Sequence, residues 1–448
     1  RSATRHSRRD EIELFCDVRK LLESLGWTKP LPDTDSASLA AALVGRCFQV
    51  PAFKEVIGVL GLREGLALNL HVELSTEQIT DFQERLYRTR GASRDEILEA
   101  ARFAPADTAY FVYLKAPLGE LLTELLAAAD PALRSNLDEI FRRSKRYAGI
   151  DEVIRVLDDG LEDQLTLIVR ENDYPTEWRK NAETGESEYV GPPNDGQPVF
   201  ALTLQNDFRE SAKIELLRDN LKGMNKELGL EGATPGSPGV FQNDTDGYKT
   251  LEYWNRFVPG TGVITSMFEQ SFCLTSNLVT MPTDIAHTYH SGSPMYPRLT
   301  DRPEFVALLD QLLEGASANL VVWCDPRLTA PTLRARAEVW ARDEAAAGID
   351  WASLRQREEA RLLPEVFPGR KRDTLSAADE ELLAVEVDSS LRTLRESEEA
   401  QRLPLLMAEK EREISYWEAL HAVVGVLRLD ERSFEIGLRA VVPLEEQP

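Results

Sequence analysis

The sequence predicts an α+β protein: two related halves of antiparallel sheet with packed helices, joined to an N-terminal helical and hairpin segment and carrying a long charged helical projection. Three observations carry that reading. Residues 56–62 form an apolar run, and after a turn at Gly65 the side chains Leu66, Leu68, Leu70, Val72 and Leu74 alternate with Ala67, Asn69, His71 and Glu73, the period-two pattern of a half-buried hairpin strand. The pattern returns near the C-terminus, where Val423-Val424-Gly425-Val426-Leu427-Arg428-Leu429 reads against Val56-Ile57-Gly58-Val59-Leu60-Gly61-Leu62 and is followed by alternation at Phe434, Ile436, Leu438 and Ala440. Residues 109–114 and 319–324 are short apolar strands, each soon followed by a proline and a long amphipathic helical pattern.

From the N-terminus, Leu14, Phe15, Val18, Leu21, Leu22 and Leu25 recur at helical spacing up to Gly26, predicting an opening helix. A polar, proline-containing linker over 28–36 leads to a second helical run at 40–44. The 56–74 hairpin follows, and Ser75-Thr76-Glu77-Gln78 predicts a capping box for a helix through Tyr87, with Phe82 and Leu86 on its apolar side. This closes a segment, 1–102, read as the remnant of a further unit. The first half, 103–299, contains strand 109–114, helices, and a hairpin pairing 164–169 with 198–204 across a polar tip at 173–197. A helix at 212–221 and extra strands within 248–257, 262–268 and 271–279 lengthen its sheet. The second half, 300–448, holds strand 319–324 and the C-terminal hairpin around a helical insertion at about 328–420. That insertion reads as a protruding helical hairpin, interrupted near 364–367 and at Pro404, with Leu382, Leu383, Val385, Val387, Leu391 and Leu394 as its seam.

The 448 residues carry 76 Asp and Glu against 52 Lys and Arg, a net charge of −24 that repels phosphate backbones, so nucleic acid is not an expected partner. No run approaches the ~20 apolar residues needed to span a bilayer. The opening Arg1-Ser2-Ala3 lacks an initiator Met and an apolar signal, so the sequence reads as trimmed from a parent that is left open to membrane tethering. Cys16, Cys47, Cys273 and Cys324 show no CxxC spacing and read as small buried hydrophobes. In a secreted chain, Cys273 and Cys324 would be the pair most open to a disulfide.

The sharpest chemical candidate is Asp284-Ile285-Ala286-His287-Thr288-Tyr289-His290, which brings two of the five histidines beside a carboxylate. Spacing of three places Asp284, His287 and His290 along one helix face, a set suited to a metal ion or a shared proton, although the HExxH pattern is absent. A polar helix end is the alternative. The adjacent aromatics Tyr253 and Trp254 are the candidate ligand-binding pair, weighed against a packing role. Asn243 to Gly247 reads as an Asp-Gly turn between strands rather than a calcium loop. There is no GxSxG elbow, Walker A loop or GxGxxG, and no cofactor is expected.

Phe103-Ala104-Pro105-Ala106-Asp107-Thr108-Ala109, then an apolar strand and helix, then Gly149-Ile150-Asp151 before a hairpin, resembles the opening of a bacterial family of envelope-associated proteins of unknown function. The likeness covers roughly residues 103–221, with weaker echoes to Leu444. It implies an extracytoplasmic module (periplasm or cell envelope), with cytoplasmic placement left open, and it carries over no functional residues. The resulting expectation is a non-enzymatic binding or assembly module with a protein partner or self-assembly. The alternative is a metal-dependent hydrolase using Asp284, His287 and His290.

Overall fold

The computed structural model describes residues 11–17, 20, 39–49, 52–61, 66–75, 77, 79–129, 131–172, 177–180, 187–190, 199–227, 239–245, 248–254, 263–278, 281–291, 295–347 and 350–441. Two compact units divide them, one of residues 1–328 and 420–448 and one of residues 329–419. The larger unit is mixed α and β.

Its strands in the N-terminal third are β1 (Glu11–Asp17), β2 (Phe53–Gly61), β3 (Leu66–Leu74) and β4 (Tyr110–Lys115). The middle of the chain adds β5 (Gln164–Asn172), β6 (Glu177–Lys180), β7 (Ser187–Val190), β8 (Val199–Asp207), β9 (Gly239–Thr245), β10 (Tyr248–Trp254), β11 (Val263–Phe268) and β12 (Phe272–Ser276). The last are β13 (Leu320–Cys324), β14 (Ala422–Asp430) and β15 (Ser433–Val441). β6 and β7 pair with each other, within the stretch read from sequence as a plain loop tip. The other thirteen form one antiparallel sheet in the order β1-β2-β3-β15-β14-β13-β4-β5-β8-β12-β11-β10-β9.

The two apolar strands of the sequence lie side by side at its centre, with Leu320 opposite Leu114 and Cys324 opposite Tyr110. Each carries on its outer side the first strand of a hairpin: β5 and β8 beyond β4, β14 and β15 beyond β13. β15 then pairs with β3, so the two hairpins that match in sequence are neighbours.

The opening helix is corrected. Residues 11–17 form a strand, with seven register pairs from Glu11 opposite Gly61 to Asp17 opposite Glu55. Ile12, Leu14 and Cys16 also alternate in sequence, and the edge of β2 satisfies the extended backbone that a local helix would otherwise claim. The helix after β3 begins later than predicted, at Asp81, because the capping box is Thr80 with Gln83 rather than Ser75 with Gln78.

The largest core cluster joins the sheet to helices Arg94–Ala101, Met281–Ser291 and Pro303–Leu313. Phe111, Tyr113, Ile168, Val321, Trp323 and Val424 supply the sheet side, and Ile97, Ile285, Phe305 and Leu309 supply the helices, all fully buried. Burial of each such side chain stabilises by about 1.5–3 kcal/mol. Trp323 meets Phe305 edge-on at 5.5 Å, and Phe305 meets Phe111 at 5.9 Å.

Cys273 and Cys324 are free thiols on β12 and β13, separated in the sheet by β8, β5 and β4. Four strand spacings of about 4.8 Å each put them far beyond the ~7 Å Cα reach of a disulfide. Burial pushes the Cys273 thiol up to about 12 and the Cys47 thiol to about 11, so both stay protonated at neutral pH.

The smaller unit contains helices Trp351–Val366 and Ala377–Glu418, the second about 63 Å long at 1.5 Å per residue over its 42 residues. Their seam is Leu383 and Val387 against Leu362, with Leu363, Val366 and Leu391 packed around them. Leu382 and Val385 lie outside it, 52% and 60% exposed, which corrects their place in the predicted seam. Pro404 does not interrupt the helix. The turns beyond it are held from outside, by Arg334 on Glu411 at 3.0 Å and by Trp417 Nε1 donating to Thr329 Oγ1 at 2.7 Å.

Candidate functional site

A cleft of about 610 Å³ opens in the larger unit where β4, β5 and β13 end together. Register brings their ends level: Tyr110 pairs with Val169 on one side and Cys324 on the other, so Arg170, Asp107 and Asp325 come from one end of three adjacent strands. The ladder is prolonged there by Ala109 N–H donating to the Val169 carbonyl and Asp325 N–H donating to the Ala109 carbonyl, both at 2.9 Å.

The opposite wall is built by the segment around Arg298. Its guanidinium donates to the carbonyls of Thr288 and Tyr289, at 3.0 and 2.9 Å, closing the C-terminus of helix Met281–Ser291. Backbone bonds from Ala106 to Pro297 and from Leu299 to Ala104, each 2.8 Å, fasten this segment to the loop before β4. Arg302 follows as the N-cap of helix Pro303–Leu313, with Pro303 at the first helical position.

Two charge clusters line the cleft. In the first, Asp325 is 3% exposed at its side chain and accepts from Arg302 Nη1 at 2.7 Å and Arg327 Nη2 at 3.0 Å on Oδ2. Its Oδ1 accepts from the Arg327 backbone N–H at 3.1 Å and from Arg327 Nε at 3.2 Å. Burial alone would raise the Asp325 pKa, but the guanidinia of Arg327 and Arg302 outweigh it and hold the carboxyl below the ordinary range. Arg302 also lies over the Trp323 ring, 4.9 Å from its centroid. In the second cluster Arg170, 12% exposed, donates to Asp107 Oδ2 at 2.6 Å and sits 3.9 Å from Asp284 Oδ2. Pro105, Met295, Tyr296 and Leu328 give the cleft an apolar wall.

The predicted metal set is not drawn together. Asp284 faces Arg170, His287 stacks against Tyr296 with ring centroids 6.3 Å apart, and His290 Nε2 lies 3.6 Å from Glu269. Among the described residues no group of three or more His, Cys, Asp or Glu side chains is placed to hold a metal ion. Tyr253 and Trp254 lie in β10 opposite Ile264 and Val263, and their side chains fall outside the described residues.

Among the sequence candidates whose side chains are described, Asp284 is the one that lines the cleft. Arg170, Arg302, Asp325 and Arg327 carry no motif. The available signal was positional: Asp107 just before one apolar strand and Asp325-Pro326-Arg327 just after the other. The Asp107 of the Pro-Ala-Asp-Thr run lies in the cleft, while Gly149 of the Gly-Ile-Asp step opens helix Ile150–Gly160, whose first N–H donates to Asp138 Oδ1 at 3.1 Å.

No helix among the described residues is long and apolar enough to cross a membrane. In comparisons with family models, with curated proteins and with solved structures, the chain matches none.

Proposed function

We propose that this chain is a non-enzymatic binding module and that the cleft at the ends of β4, β5 and β13 is its binding site. The observation that carries the reading is the chemistry of the lining. Among the described lining residues there is no Ser, Cys, Lys or His, the Thr288 hydroxyl donates to the Asp284 backbone carbonyl at 3.0 Å, and the Asp107 and Asp284 carboxylates face Arg170, so the lining sets no activated hydroxyl or thiol beside an imidazole or amine base. Its buried carboxyl, Asp325, is held ionised by two arginines and is unsuited to donate a proton as a general acid. What remains is a concave, partly apolar site with a few charged groups converging on it, the usual character of a ligand pocket.

The hydrolase alternative requires Asp284, His287 and His290 to converge on one ion, whereas Asp284 faces Arg170, His287 stacks on Tyr296 and His290 faces Glu269. The extracytoplasmic envelope setting rests on the resemblance of residues 103–221. A protein partner is supported by Leu382 and Val385, exposed apolar side chains three residues apart on the long helix. Descent of the two halves from one unit is supported by their equivalent strand order, since β4 and β13 pair at the centre and each is followed outward by a hairpin, β5 with β8 on one side and β14 with β15 on the other.

The test is a thermal-shift screen of the full chain against a broad library of small ions, sugars, amino acids and peptides, run beside Arg327→Gln. A ligand that raises the Tm of the parent chain by several degrees and the variant by much less supports the reading. Absence of any Arg327-dependent ligand would overturn it.

A further inference from the structure

The two charge clusters of the cleft are complementary in composition. The first sets two guanidinia, Arg302 and Arg327, around one carboxylate, Asp325. The second sets two carboxylates, Asp107 and Asp284, around one guanidinium, Arg170. Counted over the groups that line the cleft, the first is +1 and the second −1, which gives the lining a cationic end and an anionic end; Glu304, 3.9 Å from Arg302, is not one of the lining residues. The two ends adjoin, because Arg302 Nη1 also reaches the carbonyl of Ala106, the residue before Asp107, at 3.4 Å.

Donors and acceptors remain at both ends. Arg302 spends Nη1 on Asp325 and Ala106, and Arg327 spends Nε and Nη2 on Asp325. A guanidinium carries five N–H groups, so each keeps donors in hand, and Arg302 Nη2 and Arg327 Nη1 make no hydrogen bond among the described residues. Glu304 approaches Arg302 on its Nε edge at 3.9 Å and leaves the Nη2 donor to the ligand. At the other end Asp107 uses Oδ2 on Arg170, is half-exposed, and keeps Oδ1 as an acceptor. The same cleft is lined by the apolar side chains of Pro105, Tyr296 and Leu328.

We infer that the cleft binds a zwitterion with an apolar body: an α-amino acid with a large hydrophobic side chain, or a short apolar peptide with both termini free. The ligand carboxylate pairs with Arg302 and Arg327, its ammonium with Asp107 and Asp284, and its side chain lies on the apolar wall. Charge-assisted contacts at both ends make recognition depend on both ligand charges. The cleft, about 610 Å³, is roomier than a single glycine needs, which favours the bulky side chain or the dipeptide. This rests on the binding-module reading.

The experiment is calorimetric titration of the full chain with L-leucine, L-phenylalanine and dileucine, beside N-acetyl-leucine and leucinamide, which lack one charge each. The expected result is binding of at least one zwitterion, with both single-charge analogues at least ten-fold weaker. Arg327→Gln should weaken the zwitterion at least ten-fold while leaving leucinamide unchanged, and Asp107→Asn should weaken it while leaving N-acetyl-leucine unchanged. Leucine against dileucine distinguishes free amino acid from peptide as the source. An analogue that binds within three-fold of its zwitterion overturns the inference. So does failure of every zwitterion while another class binds with Arg327 dependence, which would leave the binding-module reading standing. Failure of all classes overturns both.

Discussion

Arg302 donates to Asp325 Oδ2 at 2.7 Å from a side chain that is itself 15% exposed, onto a carboxylate that is 3% exposed. A pair this far from water does not tolerate losing one member, because the survivor keeps its charge without its solvent. Asp325→Ala is expected to lower stability by about 3 kcal/mol in urea unfolding, and Asp325→Leu with Arg302→Met by clearly less than the sum of the singles. Additive losses would show that the pair is not coupled.

The same carboxyl makes stability depend on pH with a definite sign. Its folded pKa lies below the ordinary carboxylate value, so its contribution is fully present above pH ~4 and is lost as pH falls through the folded value. The stability difference between the parent chain and Asp325→Asn should therefore be constant from pH 7 to about 5 and narrow below about 4. A difference that widens on acidification would reverse the assignment.

In the long helix, Leu383 and Leu382 are neighbours in sequence with opposite surroundings, one buried in the seam with Leu362 and the other 52% exposed. Leu383→Ala is expected to cost about 2–4 kcal/mol, and Leu382→Ala to stay within about 0.5 kcal/mol. Hydrogen exchange over residues 351–366 and 377–418 reads both, since the loss should accelerate exchange in these helices first.

Peptide mapping without reduction is expected to find Cys273 and Cys324 in separate peptides even after mild oxidation. Three strands stand between them, and burial holds the Cys273 thiol in its unreactive protonated form. A peptide linking the two would require a different strand order.

The hairpins were legible because a half-buried strand imposes period two on its own residues: Leu66 to Leu74 and Phe434 to Ala440 announce themselves without their partners. The cleft was not, because its members become neighbours only through register. Arg170 is one charged residue in a strand until Tyr110 is set opposite both Val169 and Cys324. The reading of residues 14–25 as a helix erred at its start for the same reason, since Leu14 and Phe15 satisfy a helical spacing while the edge of β2 decides in favour of a strand. Residues 21–38 lie outside the described ones. The helical spacing of Asp284, His287 and His290 was read correctly, since all three lie on helix Met281–Ser291, but spacing along a helix does not say what stands opposite it.

The pairing of β3 with β15 has a consequence for synthesis. Ser433 lies 360 residues after its register partner Glu73. At roughly 5–20 residues per second, a ribosome needs about 20–70 s to make the strand that completes that edge. During that interval the β2–β3 hairpin presents an open row of N–H and C=O groups to whatever is nearby. Crowded translation is therefore the condition under which this chain is most exposed to pairing with another nascent copy.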